Sequence, residues 1–497
     1  MGIVRKQSTY SAIFTYIGFV FGALNALWLL PHFVSQDAYG LTRLMIDFAM
    51  FFSALSTLGS LNGLYKFNPF YRSYLMIEDN DLPFLTMIVC TVGSVLFIVC
   101  SLIFKNFLAR KFGNNSPLFV AHYNLVIPFT LSYTCVMLLE GYCWVIQKTI
   151  ISNFVKELFF RVTTTLLILL YILKVISLQQ FFLLFSLSYI PSVVILAWLV
   201  FTNGNIKICT RISSATKRLY KRILLFVSFH FSGMLIAILP NTIDGIFIAS
   251  LSADGLKNLA VYSIPKYLVS TMDVPQRSMT GITITLISEA WKSKDRRRIL
   301  ELYKKTSLNL LIIALGLFGL IYPNMDNLIR LLGNDYALAK EICLVAGVAK
   351  IIDMGMGMNA QILSLSKYWR FDFYTSASFI IVNIILDIVL IRRFGVLGAA
   401  YAGAIALMFY NMIRFFYLWR FFKMQPFTSK TISALVIGIA AIIIAYFIPY
   451  LGNKFVDGAM RCCLFTVLFS VPIIYFNISD DITNMYKTML NKFIKKN

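Results

Sequence analysis

The chain has 497 residues, of which 59% are hydrophobic and 13% are charged, and its formal net charge is +23 at pH 7. Soluble domains usually carry about 25% charged residues, so this composition excludes an ordinary soluble protein. Apolar runs of about 20 residues recur from end to end, which is the length of helix that crosses the hydrocarbon core of a bilayer. The strands of a transmembrane β-barrel would be only about ten residues long. The sequence therefore predicts an all-α polytopic membrane protein.

The apolar runs predict about fourteen transmembrane helices, of which the fifth and the eighth are the least apolar. The first run is not followed by the cleavage site of a signal peptide, so we expect it to remain as a helix. In chain order the predicted spans lie near 10–31, 40–63, 83–104, 119–140, 150–173, 178–201, 223–249, 258–285, 307–329, 341–365, 372–391, 396–419, 430–450 and 460–478.

The basic residues predict the orientation of the chain. Lys and Arg concentrate in the loops after even-numbered spans, above all between Lys207 and Arg222 and between Lys292 and Lys305. The positive-inside rule places these loops in the cytoplasm, together with both termini. Anionic lipid headgroups account for the positive charge, so we expect no nucleic-acid partner. LYKRILLF and SKDRRRILELYKK have the pattern of amphipathic helices that lie on the cytoplasmic membrane surface.

Seven basic residues fall inside or at the ends of predicted spans. An ionisable residue in a membrane is a functional candidate by default, and the alternative is a side chain that snorkels to the interface. Snorkelling suits the two that lie close to the ends of their spans, Arg43 and Arg414. The seven are Arg43, Lys156, Arg161, Lys266, Arg277, Lys350 and Arg414.

The eighth span contains the polar stretch IPKYLVSTMDVPQRS, Ile264 to Ser278. On one continuous helix, Lys266, Asp273 and Arg277 would lie within about 40° of a single face. Such a stripe in the middle of a span predicts a water-filled cavity, with Asp273 pairing with Arg277 four residues later. The two prolines should bend the helix. The alternative is a structural ion pair between helices.

Other polar groups point to few further sites. Asp244 follows a proline in the seventh span, and we expect it to face the cavity between two lobes; a hydrogen bond within its own lobe is the alternative. The eight cysteines form no C-x-x-C and the three histidines are far apart, so we expect no metal and no cofactor. HFVSQD and DND match short acyltransferase and glycosyltransferase patterns. No loop is long enough for a catalytic domain, so we expect no enzyme activity.

The segment NIILDIVLIRRFGVLGAAYAGAIALMFYNMIRFFYLWRFF, Asn383–Phe422, resembles the C-terminal signature of polysaccharide-biosynthesis flippases. These belong to the multidrug/oligosaccharidyl-lipid/polysaccharide exporter superfamily. The resemblance rests on N-x-x-L-D, F-G-x-x-G-A-A and the spacing between them. DAYGLTRL, Asp37–Leu44, resembles the end of the family's first hairpin, and LKNLAVYSIPKYL, Leu256–Leu268, resembles the entry to its eighth helix, with Ala260 where Gly is usual.

This resemblance implies two six-helix lobes arranged as a V and two additional C-terminal helices. The corresponding ranges are 1–205 for the first lobe, 206–222 for a basic cytoplasmic linker, 223–425 for the second lobe and 426–497 for the last two helices and a tail. It further implies a flippase in the bacterial inner membrane that moves an undecaprenyl-diphosphate-linked oligosaccharide to the outer leaflet for polysaccharides such as O-antigen. Expected partners are this lipid, membrane lipids, and the polymerase and chain-length proteins of polysaccharide assembly.

Related flippases use cationic residues of the central cavity for the diphosphate, and Lys266 and Arg277 fall in the corresponding helix; Arg43 is a third candidate. Two alternatives stay open: a cation-coupled multidrug or metabolite exporter of the same superfamily, and a membrane polymerase or ligase of the same sugars. Further cavity or coupling candidates are Asp273, Asp244, Asp353, Lys156, Arg161 and Lys350. The signature residues, Asn383, Asp387, Gly395 and Gly398, are expected to serve helix packing.

Overall fold

A computed structural model of the protein describes residues 2–202, 206 and 209–484. Every regular element in these residues is a helix. Eleven helices among them are long and apolar enough to cross a membrane. The predicted fold class, an all-α polytopic membrane protein, is confirmed. The predicted tail beyond residue 484 and residues 207 and 208 of the predicted linker lie outside the described residues.

The other three predicted spans, the fifth, eighth and tenth, correspond to helices with an interruption. Thr149–Ile172 contains a π-helical segment, Phe154–Phe159. The stretch from Gly255 to Lys292 is two helices separated at residues 271 and 272. The stretch from Leu338 to Ser364 is broken at residues 356–358. Non-helical backbone at membrane depth is tolerated where it is buried in protein or lines a water-filled cavity.

The chain divides into two compact units, Met1–Ala260 and Val261–Asn497. The first unit contains α1 (Gly2–Leu24), α2 (Leu30–Phe33), α3 (Gln36–Thr57), α4 (Ser60–Tyr74), α5 (Leu82–Ile103), α6 (Lys105–Phe112), α7 (Pro117–Ala121), α8 (Val126–Val145), α9 (Thr149–Asn153), α10 (Phe160–Ile172), α11 (Leu178–Ser186), α12 (Ile190–Thr202) and α13 (Ser214–Leu251).

Helix α14 (Gly255–Ser270) contains the boundary between the units, and the remaining helices belong to the second unit. They are α15 (Asp273–Lys292), α16 (Arg296–Ile321), α17 (Met325–Leu332), α18 (Leu338–Gly355), α19 (Asn359–Ser364), α20 (Trp369–Phe394), α21 (Val396–Tyr417), α22 (Ser429–Tyr446) and α23 (Lys454–Tyr475).

The long helix α13 is held by the first unit. At its start the Ser213 hydroxyl caps the helix and donates to Asp81 at 2.7 Å. Near its other end, Nδ2 of Asn115 donates to the carbonyl oxygen of Ser250 at 2.8 Å. The sequence interpretation assigned α13 to the second lobe, whereas its packing joins it to α3 and α4. The lobe boundaries themselves stay a prediction. Asp81, part of the DND pattern, accepts the hydrogen bond from Ser213 that holds the start of α13.

The two basic segments do not form separate helices on a membrane surface. LYKRILLF is part of α13, and most of SKDRRRILELYKK is the first part of α16. The amphipathic pattern has another cause in α16, because Ile299 and Tyr303 are fully buried against protein. The two segments are therefore not separate helices, and their position at the membrane surface stays a prediction.

Close helix approach between α20 and α21 depends on glycine. Gly395, between the helices, has a φ of +58°, a conformation that suits glycine. A Cβ on Gly398 would lie 2.1 Å from the carbonyl oxygen of Leu390. By contrast, a Cβ on Gly403 in the same helix would meet nothing within 4 Å. Gly395 and Gly398 thus allow the tight turn and packing that the signature predicts.

The segment after α23 is fastened to α16. Asp481 accepts hydrogen bonds from Lys305 at 3.0 Å and from Asn309 at 2.8 Å, and the Ser479 hydroxyl donates to Asn309 at 2.6 Å. The Lys305 bond, with smaller help from Asn309, outweighs partial burial and lowers the pKa of Asp481 below its ordinary value. These bonds fix the chain where it leaves the last span.

Candidate functional site

The second unit holds a lysine whose ammonium group is enclosed by three oxygens. The Lys350 side chain in α18 is only 15% exposed. Its Nζ lies 2.6 Å from Oδ1 of Asp273 and 3.0 Å from Oδ2 of Asp353, and it donates to Oε1 of Gln276 at 2.8 Å. An ammonium has three N–H donors, so these oxygens satisfy all of them. Lys350 therefore anchors two carboxylates.

Asp353 is held on its other oxygen by a chain of amides. Nδ2 of Asn411 in α21 donates to Oδ1 of Asp353 at 3.0 Å. Asn359 in α19 donates to the side-chain oxygen of Asn411 at 2.9 Å. Both asparagines are buried. Because hydrogen bonds in a low-dielectric interior reinforce one another, this chain fixes the Asp353 carboxylate between three helices.

Asp273 is shared between two cations. Its Oδ1 contacts Lys350, while its Oδ2 lies 3.9 Å from Nη2 of Arg277. A separation of 3.9 Å is too long for a hydrogen bond, so the pair with Arg277 is loose. The predicted Asp273–Arg277 pairing is present, but Lys350 is the nearer partner.

The polar stretch of the eighth span does not form one helical face. Helix α14 ends at Ser270 and α15 begins at Asp273, so Lys266 and Arg277 lie on different helices. The predicted single stripe is wrong for this reason, because a rotation of about 100° per residue applies only within one helix. Pro275 falls in the first turn of α15, where its missing N–H costs no intrahelical hydrogen bond.

Arg277 is exposed and lies inside the predicted eighth span. Its side chain is 81% exposed, against 29% for Asp273. Residue 285, where the predicted eighth span ends, lies about 12 Å further along α15 at about 1.5 Å per residue. Half of the hydrocarbon core is about 15 Å, so Arg277 lies within the predicted span. Lys266 is partly exposed on α14, with Nζ 5.6 Å from the centre of the Tyr262 ring.

Arg414 does not snorkel to an interface. Its side chain is 1% exposed and forms an ion pair with Asp372 of α20. Its Nε donates to Thr375 at 3.2 Å and its Nη2 donates to Ser376 at 3.0 Å. The guanidinium also stacks on the Tyr410 ring at 3.8 Å. The snorkelling interpretation is wrong because α20 supplies a carboxylate and two hydroxyls inside the protein.

The first unit has its own charged cluster around the π-helical segment. Nζ of Lys156 lies 3.1 Å from both carboxylate oxygens of Glu140 in α8. The next residue, Glu157, pairs with Arg161 four residues later at 3.3 Å. Lys156 is 42% exposed while Glu140 is 8% exposed, so the pair reaches from the interior to the surface of this unit. Both predicted candidates, Lys156 and Arg161, therefore lie beside carboxylates.

Hydrogen bonds of Asn25 connect α10 to the first span beside this cluster. Nδ2 of Asn25 donates to the carbonyl oxygen of Arg161 at 3.0 Å and to Thr164 at 3.1 Å, and Thr165 donates to Oδ1 of Asn25 at 2.8 Å. Gly18 lets α1 approach closely, since a Cβ there would lie 2.3 Å from the carbonyl oxygen of Glu157. π-helical turns are frequent at functional sites, and this one presents Lys156.

The two other candidates, Arg43 and Asp244, are in the first unit. Arg43 is partly buried in α3, and its Nε has no hydrogen-bond partner among the described residues. Asp244 in α13 is 7% exposed. Oδ2 of Asp47 lies 2.0 Å from the position that a Cβ on the adjacent Gly245 would take. A cavity-facing role for Asp244 stays a prediction.

Residues that contribute to these clusters but were not among the sequence candidates include Gln276, Asn411, Glu140 and Asp372. Glu140 and Asp372 are the terminal residues of predicted spans, a position that suggests the interface. Asn411 is a polar residue inside an apolar run, which is a usable signal. Gln276 carries no charge and has no distinguishing pattern.

Comparison with known proteins indicates a transporter fold. The sequence matches no family model and no curated protein. A solved structure described as "Lipid II flippase MurJ, inward closed conformation" is similar with a TM-score of 0.70 at 14% identity, covering 93% of this chain and 99% of that chain. An inward-facing multidrug resistance MATE family transporter of the MOP superfamily is similar with a TM-score of 0.64 at 12% identity, covering 80% of this chain and 93% of that one. The chain therefore shares the fold of a lipid flippase and a multidrug transporter.

Proposed function

We propose that the protein is a flippase that moves an undecaprenyl-diphosphate-linked oligosaccharide from the cytoplasmic to the outer leaflet of a bacterial inner membrane, for surface polysaccharide biosynthesis. The observation that carries the proposal is Arg277, a guanidinium that is 81% exposed on a helix inside a transporter fold. The signature-like segment Asn383–Phe422 supports the polysaccharide branch. The likeness to a lipid II flippase is consistent with a lipid-linked substrate.

An exposed guanidinium inside a predicted membrane span needs water or an anion. A charged side chain facing hydrocarbon costs at least about 2.5–3.5 kcal/mol. Arg277 therefore faces a hydrated space or a ligand. A guanidinium binds phosphate through two parallel charge-assisted hydrogen bonds. A lipid-linked diphosphate supplies such an anion while its polyprenyl tail stays in the bilayer.

The proposed cycle is alternating access around the anion-binding residues. Lys266 and Arg277 replace the water that the diphosphate loses on leaving the cytoplasmic surface. Rocking of one half against the other then opens the site to the outer leaflet. An outside-positive potential favours outward movement by about 2.3 kcal/mol for each negative charge per 100 mV.

The second candidate function is a cation-coupled exporter. It would use carboxylates such as Asp273, Asp353 and Asp244 to bind sodium or protons. Asp273 and Asp353 both contact the Lys350 ammonium, which occupies the position that a cation between them would take. This arrangement favours the flippase over a cation site at those two residues. Asp244 remains the candidate for the exporter.

Deletion of the gene followed by lipid analysis tests the function. The flippase should leave lipid-linked repeat units in the inner leaflet, where they resist an impermeant sugar-modifying reagent until the cells are opened. An exporter should instead leave these lipids at normal levels and raise sensitivity to toxic compounds. A polymerase or ligase should leave single repeat units exposed on the outer leaflet.

Complementation of the deletion strain tests the residues. The double variant Lys266→Ala/Arg277→Gln should be expressed and inserted normally but should fail to restore polysaccharide display. Lys294→Gln, which removes one positive charge from the turn between α15 and α16, is the matched control and should restore it. Normal display by the double variant at native expression would exclude the binding role.

A further inference from the structure

The shared carboxylate of Asp273 has a second consequence for an anionic ligand at Arg277. The Lys350 ammonium carries one positive charge and contacts two carboxylates, Asp273 and Asp353. These three groups together carry one net negative charge. The Arg277 guanidinium balances it from 3.9 Å, without a hydrogen bond.

The contacts divide this cluster into a fixed part and an accessible part. Lys350 and Asp353 form hydrogen bonds with each other, and they also bond to Gln276 and Asn411, respectively. Oδ1 of Asp273 belongs to the fixed part through its 2.6 Å contact with Lys350. Arg277 is the accessible part, because it is 81% exposed and loosely paired. An anion that enters this region therefore meets Arg277 first.

We propose that Asp273 is an intramolecular competitor that weakens anion binding at Arg277 and so allows the ligand to leave; this inference rests on the proposed flippase function. A phosphate on Arg277 would lie about 6 Å from Oδ2 of Asp273, given a charge-assisted bond of about 2.8 Å beyond the guanidinium. Two negative charges at this separation repel each other. When the anion leaves, Asp273 is in place to neutralise Arg277 again.

The competitor role differs from an orienting role in the sign of its effect. If Asp273 only orients Arg277, removing its charge weakens binding. If it competes, removing its charge strengthens binding and slows release. The repulsion at about 6 Å corresponds to roughly threefold in water and up to about a hundredfold at an effective dielectric of 20. We expect about tenfold, since Lys350 offsets part of the Asp273 charge.

Asp273→Asn is a suitable variant because the cluster tolerates it. The amide keeps an oxygen for Lys350, and Lys350 with Asp353 then forms a neutral pair. Arg277 loses its counter-ion, but at 81% exposure it stays hydrated. The thermal midpoint of the purified variant should therefore stay close to that of the wild type, which separates this effect from misfolding.

The experiment measures binding of undecaprenyl diphosphate to the full-length protein in nanodiscs, with undecaprenol as the uncharged control, and turnover in proteoliposomes. Asp273→Asn should bind the diphosphate about tenfold more tightly and flip it more slowly, with KM and kcat both lowered. In an Arg277→Gln background the same substitution should increase the affinity for the diphosphate much less, because the effects of two interacting residues are not additive.

The outcomes separate this inference from the function on which it rests. Wild-type binding that depends on the diphosphate, together with equal or weaker binding by Asp273→Asn, would overturn the competitor role and leave the flippase standing. Equal binding of undecaprenyl diphosphate and undecaprenol by the wild type would overturn both. If Asp273→Asn raised the affinity for the diphosphate equally with and without Arg277, Asp273 would not act through Arg277. That result would also overturn the inference.

Discussion

The buried ion pair between Arg414 and Asp372 gives the sharpest prediction for stability. Arg414 is 1% exposed and Asp372 is 20% exposed. Asp372→Asn removes the counter-ion and leaves the guanidinium charged in the interior. Breaking a buried pair in this way typically costs about 3–5 kcal/mol. Stacking on Tyr410 and the bonds to two hydroxyls remain, so the lower half of that range applies.

The expected change is large enough for a melting experiment. A domain of about 150–250 residues loses roughly 2–4 °C of melting temperature per kcal/mol, so Asp372→Asn should lower the midpoint of the purified protein by roughly 6–16 °C. Asp335→Asn is the matched control in the same unit, because Asp335 is exposed, and its midpoint should stay within about 2 °C. Intrinsic fluorescence during heating in detergent measures both.

A double variant identifies the cause. Asp372→Asn/Arg414→Gln removes both charges, so it should recover part of the lost stability although two residues have changed. If Arg414 instead reached an interface by snorkelling, Asp372→Asn would behave like the control and the double variant would recover nothing. That result would refute the burial argument.

Three further outcomes are expected. Gly398→Ala should destabilise the protein by more than about 1 kcal/mol because its Cβ meets backbone, whereas Gly403→Ala in the same helix should be neutral or slightly stabilising; equal midpoints would contradict the close packing. Because its pKa is lowered, ionised Asp481, bonded to Lys305, contributes its full stability to the fold above the ordinary Asp value of about 3.9, and this contribution is lost as the pH falls from that value through the lowered pKa. Protection of the backbone amides after α23 from hydrogen exchange, taken relative to the intrinsic rate at each pH, should thus fall below about pH 4 in the wild type, and Asp481→Asn should lack that step. A cysteine at position 294 of a cysteine-free variant should react with an impermeant reagent only from the cytoplasmic side; labelling from outside would exclude the fourteen-span topology.

The fold class and the placement of most spans follow from the amino-acid sequence alone. A run of about 20 apolar residues has one stable state in a bilayer, a helix that satisfies its own backbone, so composition suffices for this conclusion. The glycines of the signature were also identified correctly. Gly395 adopts a positive φ at the turn, and Gly398 lies where a Cβ would clash with backbone. Few residues other than glycine suit either position.

The partners of the charged residues, by contrast, depend on how the helices pack against one another. Helical spacing predicted an ion pair between Asp273 and Arg277, because spacing within one helix can identify only partners a few residues apart. Lys350 lies on α18, which is far from Asp273 in the sequence, and its Nζ lies 2.6 Å from Oδ1 of the same carboxylate. Likewise, Arg414 was assigned to the interface from its position in the chain, whereas Asp372 on α20 pairs with it in the interior. Long-range charge pairs depend on which helices pack together, and the hydropathy of each helix alone does not encode that choice.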